Sequence, residues 1–176
     1  MKTAKKLQLR YPSLIVYIPS CRGVFDEKFR KGLVKYGIKG KVISQQDDSE
    51  LMPYIYSLTK LALCKSGTVN MELALYGIPQ IIGYRVSRVT AFIAKRILNF
   101  RVRFISPVNL LMRKFIIPEF VQKNFNEKKI FFKACRLLDL KSEKTRIKKG
   151  YMLLRKELGE EGVVDRAAKE IINSII

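Results

Sequence analysis

The chain has 176 residues, 48% of them hydrophobic and 28% charged, which is the composition of a folded domain and excludes an intrinsically disordered chain. It contains no histidine, and its three cysteines form no CxxC pair, so zinc sites of the usual Cys/His spacing and a histidine base are excluded. An odd number of cysteines without a secretory signal predicts reduced thiols in the cytoplasm.

The strongest compositional signal is positive charge. Lysine and arginine number 35 against 15 acidic residues, a formal charge of +20, and residues 85–156 alone carry 20 basic and 4 acidic side chains. Such a field attracts nucleic acid, an anionic membrane surface or phosphorylated lipids. The alternative is a general enrichment in lysine on solvated helix faces, and composition does not separate the two.

The first ten residues, MKTAKKLQLR, are similar to the basic start of a signal peptide. The apolar run at 14–18 is too short for a signal sequence, and no stretch approaches the ~20 apolar residues of a membrane span. We therefore expect any membrane contact to be made at the surface.

Strands and helices alternate over the first hundred residues. The pattern predicts a strand at 14–18, a helix at 26–36 that Gly37 ends, and a strand at 41–44. The acidic residues at 47–50 can cap a helix that runs to residue 57.

The next part repeats this order, with a turn at Ser66-Gly67 and a helix stop at Gly77. It comprises a strand at 61–64, a helix at 68–76, a strand at 80–84, a helix at 89–98, a strand at 104–106, an irregular stretch at 107–118 and helices at 127–138, 142–158 and 163–176. The alternation over 14–106 predicts an α/β fold with a Rossmann-like, doubly wound parallel sheet, followed by C-terminal helices. We expect a single domain over residues 1–176.

The loop Ser66-Gly67-Thr68 joins a predicted strand to a predicted helix, which is where open parallel sheets bind ligands. Gly67 permits close backbone approach, the two hydroxyls can donate hydrogen bonds, and free N–H groups at the helix start favour a pyrophosphate. Glu72 lies one turn further on the same face, where it can accept hydrogen bonds from both hydroxyls of a ribose. The alternative is an ordinary helix cap with a solvated Glu72.

Other polar residues are less specific. Arg22 follows the first predicted strand and can reach phosphate oxygens, or it can pair locally with Asp26 or Glu27. Three more polar residues bracket an apolar stretch and indicate no chemistry in isolation: Asn109, Glu119 and Gln122.

Four segments form an ordered set that is more specific than any one of them. They read IPSCR at 18–22, KSGTVNMELALYGIPQIIGYR at 65–85, FISPVNLL at 104–111 and IIPEFVQ at 116–122. This set resembles the C-terminal half of the bacterial lipid-A-disaccharide synthase family. That family shows L-P-G-S-R, SGT-x-x-x-E, G-x-P-x-x-x-x-Y-R/K, S-L-P-N-L-L and P-E-L-x-Q in the same order.

The resemblance implies a GT-B fold, in which two Rossmann-like halves face each other across a cleft and the C-terminal half binds a UDP-sugar. The implied reaction joins UDP-2,3-diacylglucosamine to 2,3-diacylglucosamine 1-phosphate, without a metal or other cofactor, on the inner face of the cytoplasmic membrane. The catalytic residue remains unidentified. The implied contacts are the pyrophosphate for Ser66, Gly67 and Thr68, the ribose for Glu72, a phosphate for Arg22, and the donor pocket wall for Asn109, Glu119 and Gln122.

The chain also departs from the family pattern. Ser20-Cys21 replace the Gly-Ser before the arginine, and residues 112–115 read Met-Arg-Lys-Phe where the family has A-G-R-E. The half that binds the acceptor is expected to be absent, so that a separately encoded N-terminal half is required. The closing helix at 163–176 is expected to pack either on that half or on its own domain.

A second hypothesis is a basic module that binds nucleic acid or an anionic membrane and has no enzymatic activity. The charge of residues 85–156 favours it. Against nucleic acid, the chain has no recognised nucleic-acid motif, and its aromatic residues do not alternate with the basic ones as stacking platforms do. We therefore expect no nucleic-acid partner.

Overall fold

The computed structural model describes residues 1–20, 23–44, 51–86, 103–159 and 162–174. Within these ranges the strands are β1 Val16–Ser20, β2 Gly40–Ser44, β3 Ala62–Cys64, β4 Gln80–Tyr84 and β5 Glu119–Val121. The helices are α1 Lys2–Arg10, α2 Asp26–Lys35, α3 Leu51–Leu58, α4 Val69–Leu75, α5 Pro107–Met112, α6 Glu127–Asp139, α7 Lys141–Leu158 and α8 Val163–Asn173, with a 3-10 turn at Gln122–Asn124.

All pairings among these strands are parallel, which confirms the α/β class. β1 pairs with β2, and β4 lies between β3 and β5, with Cys64 opposite Ile82 and Tyr84 opposite Val121. Instead of one continuous ladder, the described strands form these two hydrogen-bonded groups. The carboxyl ends of β3, β4 and β5 consequently meet at one edge.

The core is centred on β4 and the C-terminal helices. Ile81 and Ile82 are 1% and 0% exposed, since a central parallel strand is covered on both faces. Ile147 and Leu154 of α7 belong to the same buried cluster. Gly150 of α7 lies against the side chain of Ile116, where a Cβ atom would overlap it. The helices after the sheet therefore form an integral part of the domain.

The basic start of the chain, for which the sequence predicted no helix, forms α1. Only Leu7 is buried in it, so its own sequence gives little drive to fold. Contacts with distant residues hold it instead: Lys6 pairs with Glu127 at 2.6 Å, and the Gln8 amide bonds peptide groups of Leu14 and Lys39. The helix is thus a tertiary feature.

Several predicted bounds hold closely. α2, α4, α6, α7 and α8 lie where the sequence predicted helices, and β4 has the predicted bounds. Gly37 and Gly77 adopt left-handed φ of +56° and +70° at the ends of α2 and α4. The predicted helix at 89–98 and acidic cap at 47–50 lie outside the described residues.

Three predictions were wrong. β1 begins two residues later than predicted, and 104–106 is no strand, because the N–H groups of Ile105 and Ser106 donate to the Glu119 carboxylate. The stretch 107–118, predicted to be irregular, contains α5. This helix starts with Pro107 after Ser106, whose hydroxyl accepts the Asn109 N–H. The short β5 was not predicted.

Positive charge covers the outer face of α7. Met152 of this helix is 70% exposed, and four of its lysines are exposed as well: Lys141, Lys148, Lys149 and Lys156. Glu143 lies beneath this surface and pairs with cations of both helices, Lys133 and Arg136 of α6 and Arg146 of α7. None of the helices in the described ranges combines the length and apolar content that crossing a bilayer requires.

Candidate functional site

Polar and cationic residues follow the carboxyl ends of three neighbouring strands. Lys65 and Ser66 follow β3, Arg85 follows β4, and Gln122 follows β5. Because these strands are parallel and adjacent, their following residues share one edge of the sheet. The Lys65 ammonium lies 5.7 Å from the centre of the Tyr84 ring. Lys65 and Arg85 were not singled out from the sequence, although both stand inside the KSGT…YR segment.

The β3–α4 loop, residues 65–68, is partly committed to internal hydrogen bonds. Ser66 Oγ donates to the Ile105 carbonyl at 2.6 Å, and the Gly67 N–H donates to Asn70 Oδ1 at 2.9 Å. Thr68 is exposed, and its side chain makes no capping bond. The N–H groups of Thr68 and Val69 donate to no acceptor among the described residues. The donors open to a ligand are therefore fewer than predicted and centred on Thr68.

Neither the backbone conformation nor steric crowding within the described residues requires glycine at position 67. Its φ lies outside the left-handed region, and a Cβ added to it would meet no atom of the described residues within 4 Å. A side chain at this position would occupy only the space in front of the loop. The approach of a ligand to the backbone here stays a prediction.

Glu72 is exposed on α4, one helical turn after Thr68. Its carboxylate lies near the Tyr56 hydroxyl of α3, and burial together with this carboxylate raises the pKa of Tyr56 to about 12. The Tyr56 ring packs against Tyr76, with the ring centres 4.9 Å apart. Glu72 is thus an exposed carboxylate that lies close to one tyrosine hydroxyl.

Asn109 is fully buried and its amide is saturated. Its Nδ2 donates to the Ile117 carbonyl at 2.9 Å and to Glu119 Oε1 at 2.7 Å. Its Oδ1 accepts the N–H groups of Ile116 and Ile117. The side chain therefore holds the turn between α5 and β5 and has no polar atom left for a ligand.

The Glu119 carboxylate completes this arrangement from β5. Its Oε1 accepts the N–H and the hydroxyl of Ser106, and its Oε2 accepts the Ile105 N–H at 2.8 Å. Because Ser66 donates to the carbonyl of the same Ile105, the carboxylate fixes the segment that adjoins the β3–α4 loop. Asn109 and Glu119 are thus brought together near the site, with their polar atoms directed at each other and at the backbone.

Two non-glycine residues, one at each end of the segment between α5 and the 3-10 turn, have a left-handed φ. Gln122, at the end of β5, has a φ of +50°, and Arg113, at the end of α5, has a φ of +49°. Arg113 stands where the family pattern has glycine, so the loop keeps a backbone that suits glycine. Gln122 is half-buried at the site edge.

The remaining predicted residue, Arg22, lies outside the described residues. Two open grooves, of about 530 and 470 Å³, lie elsewhere, along α2 and β2, and share Arg30, Lys41 and Val42 in their linings. The predicted site residues that the structure describes line neither groove.

Comparison with known proteins gives one consistent result. A family model described as lipid-A-disaccharide synthetase matches residues 1–175. A lipid-A-disaccharide synthase from Prochlorococcus marinus (strain MIT 9313) is 44% identical over 172 residues, which cover 98% of this chain and 44% of that protein. The protein of the same name from Gloeothece citriformis (strain PCC 7424) is 33% identical over 174 residues, covering 99% and 44%.

The lipid-A-disaccharide synthase from Synechocystis sp. (strain ATCC 27184 / PCC 6803 / Kazusa) is 32% identical over 169 residues, 96% of this chain and 42% of that protein. The chain thus spans less than half the length of these relatives. The match nevertheless extends over nearly all of its own residues, including all four motif segments. This chain belongs to the lipid-A-disaccharide synthetase family.

Proposed function

We propose that the chain is the donor-binding half of a glycosyltransferase of lipid A biosynthesis. The donor is UDP-2,3-diacylglucosamine, the acceptor is 2,3-diacylglucosamine 1-phosphate, and the products are the lipid A disaccharide phosphate and UDP. The observation that carries the proposal is the free donor set at Thr68, its hydroxyl and two adjacent N–H groups, beside Lys65 and Arg85 at the strand edge.

Each part of the site has a distinct role in this proposal. Thr68 and the open face of Gly67 receive the pyrophosphate, and Glu72 accepts the ribose hydroxyls. Arg22 binds a phosphate oxygen, as the family pattern implies. Asn109 and Glu119 support the pocket wall through the backbone at 105–117, whereas Gln122 reaches the donor from the end of β5.

In the proposed reaction, the donor-binding half stabilises the leaving group. Negative charge builds on the UDP phosphates as the glycosidic bond breaks, and Lys65 and Arg85 are placed to neutralise it. An acceptor-binding N-terminal half, corresponding to the part of the relatives that this chain does not match, supplies the remaining groups. Assembly of the two halves closes the cleft over the strand edge.

The membrane surface is the proposed location of the reaction. The exposed lysines and Met152 of α7 suit an anionic bilayer, and both sugar substrates carry acyl chains. We place the protein on the cytoplasmic face as a peripheral component. The competing hypothesis is a nucleic-acid-binding module, which the same charge would serve.

Calorimetry with UDP tests the proposal. We expect UDP to bind the chain, and Glu72→Ala to weaken binding about tenfold or more, since hydrogen bonds to a carboxylate are lost. The exposed carboxylate of Glu157 on α7 gives the matched control, and Glu157→Ala should leave the affinity unchanged. A folded chain that ignores UDP but binds DNA with steep salt dependence would overturn the proposal in favour of its alternative.

A further inference from the structure

A series of buried hydrogen bonds connects the β3–α4 loop with α7. Asn70, the second residue of α4, is 0% exposed. Its Oδ1 accepts the Gly67 N–H at 2.9 Å, and its Nδ2 donates to the Lys65 carbonyl at 3.2 Å. One amide therefore grips the backbone on both sides of Ser66.

Gln80 anchors Asn70 in turn. The Gln80 side chain is also fully buried, and its Nε2 donates to the Asn70 carbonyl at 2.9 Å and to the Tyr151 hydroxyl at 3.1 Å. Tyr151 of α7 donates onward to the Ile78 carbonyl at 3.0 Å. Because a backbone carbonyl can only accept, the Asn70 contact fixes which end of the Gln80 amide faces α4.

The orientation leaves Gln80 Oε1 without a partner among the described residues. A buried carbonyl without a hydrogen bond destabilises the fold, and an apolar side chain of the same length would avoid this cost. Packing alone thus gives no reason for an amide at this position. The amide instead joins two elements through Nε2, the start of α4 with its loop and the Tyr151 hydroxyl of α7.

We propose that Asn70 and Gln80 are positioning residues of the donor site. Asn70 turns the Gly67 N–H inward, so that Thr68 and Val69 present theirs to the phosphates, and Gln80 fixes Asn70 against α7. The loop is then ordered before the donor arrives, so that the free energy of binding is not reduced by the entropy lost in ordering the loop. This inference rests on the donor site proposed above.

Three variants test the inference. Asn70→Ala removes the two hydrogen bonds to the loop backbone, and Gln80→Met removes the Nε2 hydrogen bonds at nearly the same side-chain volume. Asn126→Ala, the matched control, removes a helix-capping bond of α6. UDP affinity is measured by calorimetry, stability by thermal unfolding, and Gly67 amide exchange by NMR. We expect UDP binding about fivefold to tenfold weaker for Asn70→Ala and about threefold weaker for Gln80→Met.

The stability readout separates positioning from a general structural role. Gln80→Met should change the melting temperature little while weakening UDP binding, because removal of the unpaired Oε1 offsets the loss of the two Nε2 hydrogen bonds. Asn126→Ala should lower the melting temperature and leave UDP affinity unchanged. The Gly67 amide should exchange faster in Asn70→Ala. If Asn70→Ala does not fold, Gln80→Met decides the question by the same measurements.

Equal UDP affinity and equal Gly67 exchange in the wild type and both variants would overturn the inference and leave the donor site intact. A wild type that does not bind UDP would instead refute the donor site. The Gly67 exchange rates would still report whether the two amides hold the loop.

Discussion

Two groups of residues from the same family motifs lie in opposite environments. Thr68 and Glu72 are exposed at the β3–α4 loop and α4, with hydrogen-bonding capacity left over. Asn109 is buried, and its amide is saturated by backbone groups and Glu119. Residues of the matched motifs therefore include both exposed polar groups and buried groups that hold the backbone around them. Burial and pairing tell the two apart.

The open loop and the closed network are linked by hydrogen bonds through Ile105. Ser66 of the open loop donates to the Ile105 carbonyl, while the Ile105 N–H is held by Glu119. The buried network of Asn109 and Glu119 therefore fixes the backbone to which the exposed β3–α4 loop is hydrogen-bonded. If this contrast is correct, substitutions in the two regions should act on different measured quantities.

The largest expected effect is on stability in the closed network. Asn109→Ala should lower the free energy of unfolding by about 3 kcal/mol, because the buried Ile117 N–H loses its acceptor, and the Ile116 N–H, the Ile117 carbonyl and Glu119 each lose one hydrogen bond. Urea unfolding measures this loss. The exposed cap change Asn126→Ala should cost only about 1 kcal/mol. Equal losses of unfolding free energy in the two variants would show that the buried Asn109 network contributes no more than an exposed helix cap.

Glu143, which lies outside the site, is a buried carboxylate and can be compared with the exposed Glu72. Burial acts to raise the pKa of Glu143, but the hydrogen bond from Lys133 and the charges of Arg136 and Arg146 outweigh it and hold that pKa below 4.5. A lowered pKa contributes stability that is present above 4.5 and disappears as the pH falls through the lowered value.

Glu143→Gln should therefore be less stable than the wild type at pH 7, by about 1 to 2 kcal/mol. The difference should shrink as the pH falls below 4.5, and unfolding curves at several pH values measure it. Glu157→Ala, the exposed control on the same helix, should show no such convergence. A constant difference across this range would mean that Glu143 does not hold α6 and α7 together through its charge.

The third prediction, with the smallest change, concerns the turn between α5 and β5. Arg113 adopts a left-handed φ of +49° that glycine adopts without strain. Arg113→Gly should raise the free energy of unfolding by about 0.5 kcal/mol and leave UDP affinity unchanged. Thermal unfolding would detect the gain, and a loss of stability would show that the arginine side chain contributes more than its backbone costs.

Local patterns were sufficient to predict much of the fold. α4 and β4 were predicted within a residue, because Gly77 and Pro79 separate an apolar helix from an apolar strand. β5 was missed because it has three residues and depends on pairing with β4, 37 residues away at Tyr84 and Val121. α1 was missed because contacts with Glu127, Leu14 and Lys39 hold it, and none of these is visible in a local pattern.

The candidate site shows the same limit. The spacing of Thr68 and Glu72 placed them on one face of a helix, as found. Nothing local marked Asn70 or Gln80, because an amide in an apolar pattern is recognised only by its partners. Those of Gln80 lie 10 and 71 residues away. Likewise, Asn109 and Glu119 matched motifs, but their mutual hydrogen bond required the folded chain.

An NMR titration of the isotope-labelled chain with UDP tests the donor site at the β3–α4 loop. We expect the amide shifts to concentrate at Gly67, Thr68, Val69 and Glu72, with little change along α6 and α7. Shifts confined to the grooves along α2 and β2, or no shifts at all from a folded chain, would contradict it.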